Sequence, residues 1–354
     1  MSDRVAVVHD WLTGMRGGEA VLEGILDLFP AAELFTLFHF PGSVSPKIEA
    51  RVIHTSGLQK IAARVKDYRT LLPLYPRAAR QLDLGGFDLI VSSSHCVAKG
   101  VDARGTRHVS YCHTPMRYMW DRFDDYFPWS KPAQRIAAGA IRPWLQRWDR
   151  NTRGVTRFIA NSWFVQKRIE TYYGRDADVV HPFVDEAFLE APLIKEREDA
   201  HLIVSALVPY KKIELAIESG RRIEIIGGGP LRAKLERAAG PNVRFLGPVS
   251  RDRIIERLSR ARSLILPGIE DFGITPLEAM ALGTPVVALG QGGVLDTVVH
   301  GSTGILFDDP MVHSLREALD EVESRTWDRE ALRAHAAAFS RERFRRELAA
   351  LMEA

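Results

Sequence analysis

The stretch Leu-Ile-Leu-Pro-Gly-Ile-Glu-Asp-Phe-Gly-Ile-Thr-Pro-Leu-Glu-Ala-Met, residues 264 to 280, decides the fold because it predicts a strand, a loop and the start of a helix. A strand followed by a loop and a helix is the repeating unit of a parallel α/β sheet. The loop carries Glu270 and Asp271, although the free amides at the start of a helix attract anions. Acidic side chains therefore lie where an anion would otherwise bind, which needs an explanation.

Three residues predict where that helix begins. Thr275 suits the N-cap position, and Pro276 suits the first helical position. Glu278 lies three residues after Thr275 and would complete a capping box with it. Glu278 therefore has a structural explanation, whereas Glu270 lies in the loop before the cap and has none.

Short apolar segments alternate with helical patterns along the chain, in two successive series. The first series of predicted strands covers 4–9, 33–40, 88–93, 108–112, 157–160 and 178–181, and the second covers 201–207, 223–226, 243–246, 263–266, 285–289 and 304–307. A polar connector separates them, and the segment 329–353 is predicted to be helical. This pattern predicts two doubly wound α/β domains that face each other across a cleft. We place them at 1–185 and 186–335, followed by a C-terminal helix at 336–354 that could pack back on the first domain.

The composition is that of a globular protein. Of 354 residues, 46% are hydrophobic and 26% are charged, and no apolar run approaches the roughly 20 residues that span a bilayer. The N-terminus lacks the pattern of a signal peptide, so we expect a cytoplasmic protein. A net charge of +3 gives no reason to expect nucleic acid as a partner. The two cysteines form no zinc pattern and are expected in the core.

Two basic series interleave with apolar side chains. The first contains Lys60, Arg64, Lys66, Arg69, Arg77 and Arg80 among Leu71, Leu72, Leu74 and Tyr75, and the second contains Lys131, Arg135, Arg142, Arg147, Arg150, Arg153 and Arg157 among Trp129, Trp144 and Trp148. Such surfaces suit an anionic membrane face. The alternative is a solvated helix surface above buried tryptophans.

Two candidate ligand contacts follow strands of the first series. Gly17 and Gly18 precede a helix and would let the backbone approach a ligand, although their spacing is not the dinucleotide fingerprint and an ordinary turn explains them equally well. His113 follows the strand 108–112 and could donate a hydrogen bond to a ligand, or be satisfied by local backbone. Other histidines also lie near strand ends, so position alone does not single out His113.

Two more candidates follow strands of the second series. Lys211 comes at a helix start, where a positive charge is unfavourable unless an anion lies between them. Lys211 or Lys212 could then neutralise a diphosphate. Gly228, at the centre of three consecutive glycines, permits close approach of a ligand or makes a tight turn.

These residues together resemble a known family. The C-terminal half is similar to the retaining glycosyltransferases of family 4, which have the GT-B fold of two Rossmann-like domains. The matching features are Glu270 and Glu278 within Glu-Asp-Phe-Gly-Ile-Thr-Pro-Leu-Glu-Ala-Met-Ala, followed by Gly-Thr-Pro-Val-Val-Ala, and upstream Val-Pro-Tyr-Lys at 208–211 and Ile-Gly-Gly-Gly-Pro at 226–230. Arg-Gly-Gly-Glu at 16–19 and Tyr-Cys-His-Thr-Pro-Met-Arg-Tyr-Met-Trp-Asp at 111–121 look like bacterial mannosyltransferases that build surface polysaccharides.

The resemblance implies a role for each matched residue. Lys211 would pair with the diphosphate, Glu270 would hold hydroxyls of the donor sugar, and His113 would contact that sugar near the reacting carbon. Glu278 would bind the ribose hydroxyls, and Glu19 would contact the acceptor. The remaining donor contacts would come from Gly17, Gly18 and Gly228 and from the amides of Phe272, Gly273, Ile274 and Thr275.

Two departures from the family pattern concern the donor site. The family usually has an arginine where this chain has Ala206, and Lys212 or Arg16 could replace it. The helix that runs from Lys211 to Ser219 is about one turn shorter than usual. Members of the family need no metal, and the chain has no Asp-x-Asp site, so no cofactor is expected beyond the nucleotide sugar used as substrate.

The sequence thus predicts a retaining hexosyltransferase. The resemblance favours transfer of mannose from GDP-mannose to a lipid-linked saccharide or a polysaccharide acceptor, by an enzyme that lies peripherally on the inner face of the cell membrane. A nucleotide-sugar epimerase and a non-catalytic nucleotide-sugar-binding protein stay open as alternatives. A nicotinamide dehydrogenase is disfavoured, because the required glycine spacing and the following acidic residue are missing.

Overall fold

The computed structural model describes residues 4–65 and 67–353. Its internal contacts divide the chain into two compact units. The first unit contains the residues up to His181 and again those from Phe344, and the second unit contains Pro182–Arg343. Each unit is built around one parallel sheet.

The sheet of the first unit has seven strands, and every pair is parallel. The strands are β1 (Val5–His9), β2 (Glu33–Thr36), β3 (Ile53–Thr55), β4 (Leu89–Ser94), β5 (Arg107–Cys112), β6 (Arg157–Ala160) and β7 (Ala177–Val179). Their order is β3-β2-β1-β4-β5-β6-β7, so the direction of winding reverses between β1 and β4. Both of these strands are buried along their whole length, as expected for a sheet covered on both faces.

Helices and short turns connect these strands. The helices are α1 (Gly17–Leu28), α2 (Pro46–Glu49), α3 (Gln59–Ala62), α4 (Tyr75–Arg80), α5 (Phe123–Tyr126), α6 (Pro132–Arg150) and α7 (Trp163–Tyr173), with 3-10 turns at Tyr68–Leu74 and Ala98–Gly100. The amphipathic α1 places Val21, Leu22 and Ile25 in the interior.

The sheet of the second unit repeats the same architecture with six parallel strands. They are β8 (His201–Val204), β9 (Ile223–Ile226), β10 (Val243–Gly247), β11 (Leu264–Leu266), β12 (Val286–Leu289) and β13 (Gly304–Phe307), in the order β10-β9-β8-β11-β12-β13. The helices are α8 (Glu186–Glu190), α9 (Ile213–Glu218), α10 (Arg232–Ala238), α11 (Arg251–Arg260), α12 (Ile274–Ala281), α13 (Val312–Ser324) and α14 (Arg329–Ala337), with 3-10 turns at Pro209–Lys211 and Gly293–Asp296. Here the winding reverses between β8 and β11.

The predicted doubly wound α/β class is confirmed, but one predicted helix is not continuous. The segment 329–353 forms α14 and a separate helix α15 (Arg341–Glu353). The chain breaks because the Ser340 hydroxyl accepts the amide of Arg343 at 3.1 Å, which starts a new helix. The part of α15 from Phe344 belongs to the first unit, where the Phe344 ring packs edge-on against Tyr111.

The short edge strand β3 was not predicted, because its three residues carry too weak a pattern.

The two basic series differ in their surroundings. In the first series Lys60, Arg64, Arg69, Arg77 and Arg80 are exposed, and Lys66 lies outside the described residues. In the second series the side chains of Arg135 and Arg142 bind backbone carbonyls. Trp148 packs against Gly100, whereas Trp129 and Trp144 are 74% and 48% exposed. Burial therefore accounts for one of the three tryptophans. Within the described part of the chain, every helix is too short or too polar to cross a bilayer.

Candidate functional site

The reversal of winding in the second unit brings two predicted site residues together. Loops that follow β8 and β11 diverge there, which is where open α/β sheets bind ligands. Lys211 ends the 3-10 turn after β8, and Glu270 lies in the loop after β11. The Lys211 Nζ forms an ion pair with the Glu270 Oε1, and both side chains are mostly buried, at 15% and 19% exposure. An ion pair shielded in this way is stronger than one on the surface.

Glycines hold the loop of Glu270 in place from two sides. A Cβ at Gly268 would lie 2.4 Å from the Tyr210 carbonyl oxygen and 2.7 Å from the Lys211 Cα. On the other side, the Gly293 amide donates to the Glu270 carbonyl at 2.9 Å, and a Cβ at Gly292 would lie 2.6 Å from that oxygen. The backbone at Glu270 is therefore clamped between two neighbouring loops, and only glycine fits at these contacts.

The helix after this loop begins earlier than predicted, and the predicted capping box is wrong. Gly273 is the N-cap of α12, with φ of 86°, and no side chain caps the helix. This left-handed conformation is open to glycine and lets the helix start at Ile274. Thr275 is thus the second helical residue, and Glu278 is the fifth, too far along to close a capping box. The start of α12 keeps its attraction for an anion.

Glu278 is a partly buried carboxyl without the predicted capping role. Burial raises its pKa to about 7, the nearby Asp185 acts in the same direction, and Arg251 opposes them. Arg251 is itself paired with Asp185 at 3.1 Å. A carboxyl held half-protonated near neutral pH costs stability, and such groups concentrate at functional sites. The ribose contact assigned to Glu278 stays a prediction.

The glycine-rich loop after β9 packs against the end of β8. A Cβ at Gly227 would lie 2.0 Å from the Ser205 carbonyl oxygen, and one at Gly229 would lie 2.5 Å from that of Leu207. Gly228 is less constrained, since its nearest neighbour would be Pro248 Cγ at 3.4 Å. Packing therefore explains the outer two glycines and leaves Gly228 available to a ligand. Ala206, at the position of the expected arginine, is exposed.

The four residues whose amides were predicted to contact a donor differ in their burial. The Phe272 side chain is 3% exposed and belongs to the hydrophobic core of the second unit. Gly273, Ile274 and Thr275 are partly exposed. Their backbone contacts with a donor stay predictions, while the Phe272 ring anchors the loop to the core.

The reversal of winding in the first unit is organised by the carboxylate of Asp10, which follows β1. It is fully buried and accepts four backbone amides from the loop after β4, those of His95, Cys96, Val97 and Ala98, at 2.6, 3.0, 2.6 and 2.7 Å. Burial acts to raise the pKa of Asp10, but His95, His9 and these amides together hold it below its ordinary value. One carboxylate therefore fixes the whole loop after β4.

His113 lies beside that loop in a chain of hydrogen bonds. The Ser93 Oγ is 2.8 Å from the His113 Nε2 and 3.1 Å from the His9 Nδ1. Burial lowers the pKa of His113 to about 3, and His95 and His9 add to this, so the imidazole is neutral at physiological pH. A Cβ on Gly18 would lie 3.9 Å from the His113 Nε2, so two predicted site residues are neighbours. Gly17 and Gly18 form the first turn of α1.

Glu19 is engaged inside the first unit. Its side chain is almost fully buried, and its Oε2 accepts the Arg16 amide at 3.0 Å. Its Oε1 lies 3.7 Å from the His9 Nε2. Burial acts to raise the pKa of Glu19, yet His9 and His95 lower it overall. Contact with an acceptor stays a prediction, and the observed partners make Glu19 an organiser of the loop that ends at α1.

Four residues of this region were not selected from the sequence: His9, Asp10, Ser93 and His95. One feature could have drawn attention to them. The strand β4 ends in three consecutive serines followed by His95, and β1 ends in His9 followed by Asp10, so polar groups close two adjacent, otherwise apolar strands. No group of three or more His, Cys, Asp or Glu side chains in the described residues could hold a metal ion.

Two family models match the chain. The model described as Glycosyltransferase Family 4 matches residues 36–188, and the model described as Glycosyl transferases group 1 matches residues 184–339. Together the two matches run from residue 36 to residue 339.

Curated relatives and solved structures agree with these matches. The D-inositol 3-phosphate glycosyltransferase of Mycobacterium sp. (strain JLS) is 31% identical over 216 residues, which cover 52% of this chain and 49% of that protein. The GDP-mannose-dependent alpha-(1-6)-phosphatidylinositol monomannoside mannosyltransferase of Mycobacterium tuberculosis is 32% identical over 34% of this chain and 37% of its own. The chain thus spans half or less of the length of these relatives. HepE of Anabaena in complex with UDP-glucose has the same fold, with a TM-score of 0.73 over 99% of each chain at 17% identity.

Replacing Asp10 by asparagine tests the role of the buried carboxylate. The amide group cannot accept all four backbone amides, so we expect Asp10→Asn to lower the free energy of unfolding by about 2–4 kcal/mol at pH 7. Because the pKa of Asp10 is lowered in the folded protein, its stabilisation is present above the unfolded pKa of about 3.9 and is lost as the pH falls through the folded pKa. Urea unfolding of both proteins between pH 7 and pH 3 measures this.

The matched control is Asp88→Asn, which changes an exposed carboxylate that accepts one amide, that of Arg4 at 2.8 Å. Its expected cost is below about 1 kcal/mol. Equal costs for the two substitutions would contradict the role given to Asp10.

Replacing Glu278 by glutamine should stabilise the protein at high pH. The pKa of Glu278 is raised, so its contribution to stability is fully present below the unfolded pKa of about 4.3 and is lost as the pH rises through about 7. Glutamine mimics the protonated form, so we expect little effect at pH 5 and a gain on the order of 1–2 kcal/mol at pH 8. Urea unfolding at both pH values tests this, with Glu190→Gln, an exposed carboxyl on α8, as the control. A gain at pH 5 that disappears at pH 8 would have the wrong sign.

Proposed function

The chain belongs to the family 4 glycosyltransferases, and from this membership we propose that it transfers a hexose from a nucleotide sugar to a saccharide acceptor with retention of configuration. The observation that carries the proposal is the pairing of Lys211 with Glu270 beside the uncapped start of α12. A cation, a hydroxyl acceptor and free helix amides are the groups that a sugar diphosphate requires.

On donor binding, the two partners of the ion pair would take different parts of the ligand. The diphosphate attracts Lys211 away from Glu270 and lies against the amides at the start of α12. Glu270 is then free to accept hydrogen bonds from sugar hydroxyls. This division explains an acidic loop at an anion-binding helix start, because the acid recognises the sugar while the amides and the lysine recognise the phosphates.

The transfer step would depend on charge stabilisation and positioning. Lys211 and the helix amides stabilise the negative charge that develops on the departing diphosphate, without a metal. The glycosidic bond to that phosphate breaks, the acceptor oxygen attaches to the same face of the anomeric carbon, and the acceptor proton passes to a phosphate oxygen. The sugar contact of His113 stays a prediction from the family resemblance, and its neutral imidazole would add no charge there.

Mannose from GDP-mannose is our first choice of donor. The motifs of the first unit resemble bacterial mannosyltransferases, and one relative is named as a GDP-mannose-dependent mannosyltransferase. The name of another relative includes an inositol phosphate, and HepE was crystallised with UDP-glucose. These names motivate a screen that varies both base and sugar, with a lipid-linked saccharide as the acceptor class.

We also propose that the first basic series, Lys60 to Arg80, lies against an anionic membrane that carries the acceptor. Its described basic residues are all exposed, and Ile61 and Leu74 beside them are 43% and 45% exposed. Exposed cations next to exposed apolar side chains suit the headgroup region of an anionic bilayer. The enzyme would then act at the inner face of the cell membrane.

One observation favours a second candidate function. Ala206 is exposed where the family has an arginine, so the diphosphate has one charge-assisted contact fewer. A nucleotide-sugar-binding protein without turnover would fit this loss. Such a binding protein would bind donors without releasing nucleoside diphosphate. The other alternative, a nucleotide-sugar epimerase, would interconvert donor sugars without an acceptor.

Turnover of nucleotide sugars tests the proposed transfer. With a panel of donors and lipid-linked acceptors, we expect nucleoside diphosphate and a glycosylated acceptor in equal amounts, detected by mass spectrometry. Lys211→Met and Glu270→Gln should each lower kcat/KM by about 100-fold, because each removes a contact to the reacting donor. Lys234→Met, on the exposed side of α10, should leave it unchanged. Donor binding without any turnover would favour the second candidate function, and unchanged activity in both site variants would refute the proposed site.

Binding to vesicles tests the membrane proposal. The triple variant Lys60→Glu, Arg64→Glu and Arg69→Glu should bind vesicles with anionic lipid at least about tenfold more weakly, because each basic residue near the surface contributes about 1 kcal/mol. The control reverses three exposed basic residues of the second unit, Lys234, Arg237 and Arg244, with the same change in net charge. Equal loss in both triple variants would indicate a non-specific charge effect and overturn the assignment.

A further inference from the structure

The Ser93 hydroxyl has two imidazole partners in the first unit. It is fully buried and lies 3.1 Å from the His9 Nδ1 and 2.8 Å from the His113 Nε2. A hydroxyl carries one proton and two acceptor lone pairs, so it can donate to at most one of the two rings. The two directions in which Ser93 donates, to His113 or to His9, place the proton of His113 on different nitrogens.

Glu19 decides between the two directions. Its Oε1 faces the His9 Nε2 at 3.7 Å, with both side chains buried. A lone pair on this nitrogen would face a carboxylate without water to screen the repulsion, so the proton of His9 lies on Nε2. The His9 Nδ1 then accepts from Ser93.

We propose that Glu19 acts through His9 and Ser93 as a positioning residue that holds His113 in its Nε2–H tautomer, so that the His113 Nδ1 accepts a hydrogen bond from a ligand hydroxyl. In this direction Ser93 accepts from the His113 Nε2–H. The sequence suggested that His113 donates a hydrogen bond to its ligand. In this hydrogen-bond chain, His113 accepts one from the ligand instead. The identity of the hydroxyl rests on the proposed function, whereas the tautomer does not.

Neighbouring contacts hold the side chains of this hydrogen-bond chain in place. Ser93 lies near the end of β4, and the loop after β4 is held by the four amide contacts to Asp10. The Glu19 carboxylate is fixed at its other oxygen by the Arg16 amide. The groups that act on the pKa of His113 are His95, His9, Asp10 and Glu19, and the Tyr111 ring packs edge-on against the imidazole at 5.3 Å. Glu19 and His113 are thus linked through His9 and Ser93, whose surroundings leave them little freedom to move.

Nitrogen NMR of the full chain, with ¹⁵N-labelled histidine, tests the tautomer directly. At about pH 8.5, where ordinary imidazoles are neutral, the His113 signals are identified among the eleven histidines by their loss in His113→Gln. We expect a protonated-type shift for Nε2 and an unprotonated-type shift for Nδ1. Ser93→Ala and Glu19→Gln should each produce a mixture of tautomers. Protonation of Nδ1 in the unmodified protein, or an unchanged tautomer in both variants, would overturn the proposal.

A matched pair of substitutions separates positioning from stability. Ser92, the neighbour of Ser93 on β4, forms a similar buried hydrogen bond, to the His108 Nε2 at 2.8 Å. Ser92→Ala and Ser93→Ala should therefore both lower the thermal stability, but only Ser93→Ala should lower kcat/KM, by about tenfold. An equal effect on kcat/KM in both would reduce Ser93 to a structural residue. Absence of all turnover would refute the proposed function and leave the NMR result standing.

Discussion

Parallel pairing of the strands is the constraint on which the rest of both units depends. Every strand pair in the two sheets of the described residues is parallel, so the loops that follow the strands meet at one edge of each sheet. Where the winding reverses, two such loops separate and leave room for a ligand. In the first unit this place holds Asp10 and the loop after β4, and in the second unit it holds Lys211 and Glu270.

Different groups satisfy the shielded carboxylates of the two units. Asp10 is satisfied by four backbone amides and serves the architecture of its loop, which leaves neutral side chains such as His113 for contact with a ligand. Glu270 is paired with Lys211, a partner that a diphosphate can attract away. The first carboxylate is therefore a permanent support, and the second is an exchangeable partner. Under the proposed function, this difference would explain why acids occur beside the start of α12.

The sequence was informative where local pattern decides the outcome. The alternation of apolar strands and helices predicted two parallel α/β units. Lys211 and Glu270, selected because they follow strands, are paired in the structure. The capping box at Thr275 failed because the positive φ of Gly273 starts α12 earlier, which no residue pattern alone specifies. The amides bound by Asp10 lie 85 to 88 residues away in the chain, and the Ser93 chain joins three separate segments. Such contacts exist only in the folded protein, so they could not be predicted from periodicity.

A crystal structure with a bound nucleotide sugar would show whether Lys211 and Glu270 divide the donor between them. We expect the diphosphate to lie against Lys211 and the first amides of α12, the sugar hydroxyls to donate to Glu270, and the ion pair between these two side chains to be broken. A nucleotide sugar bound elsewhere, with the Lys211–Glu270 pair intact, would contradict it.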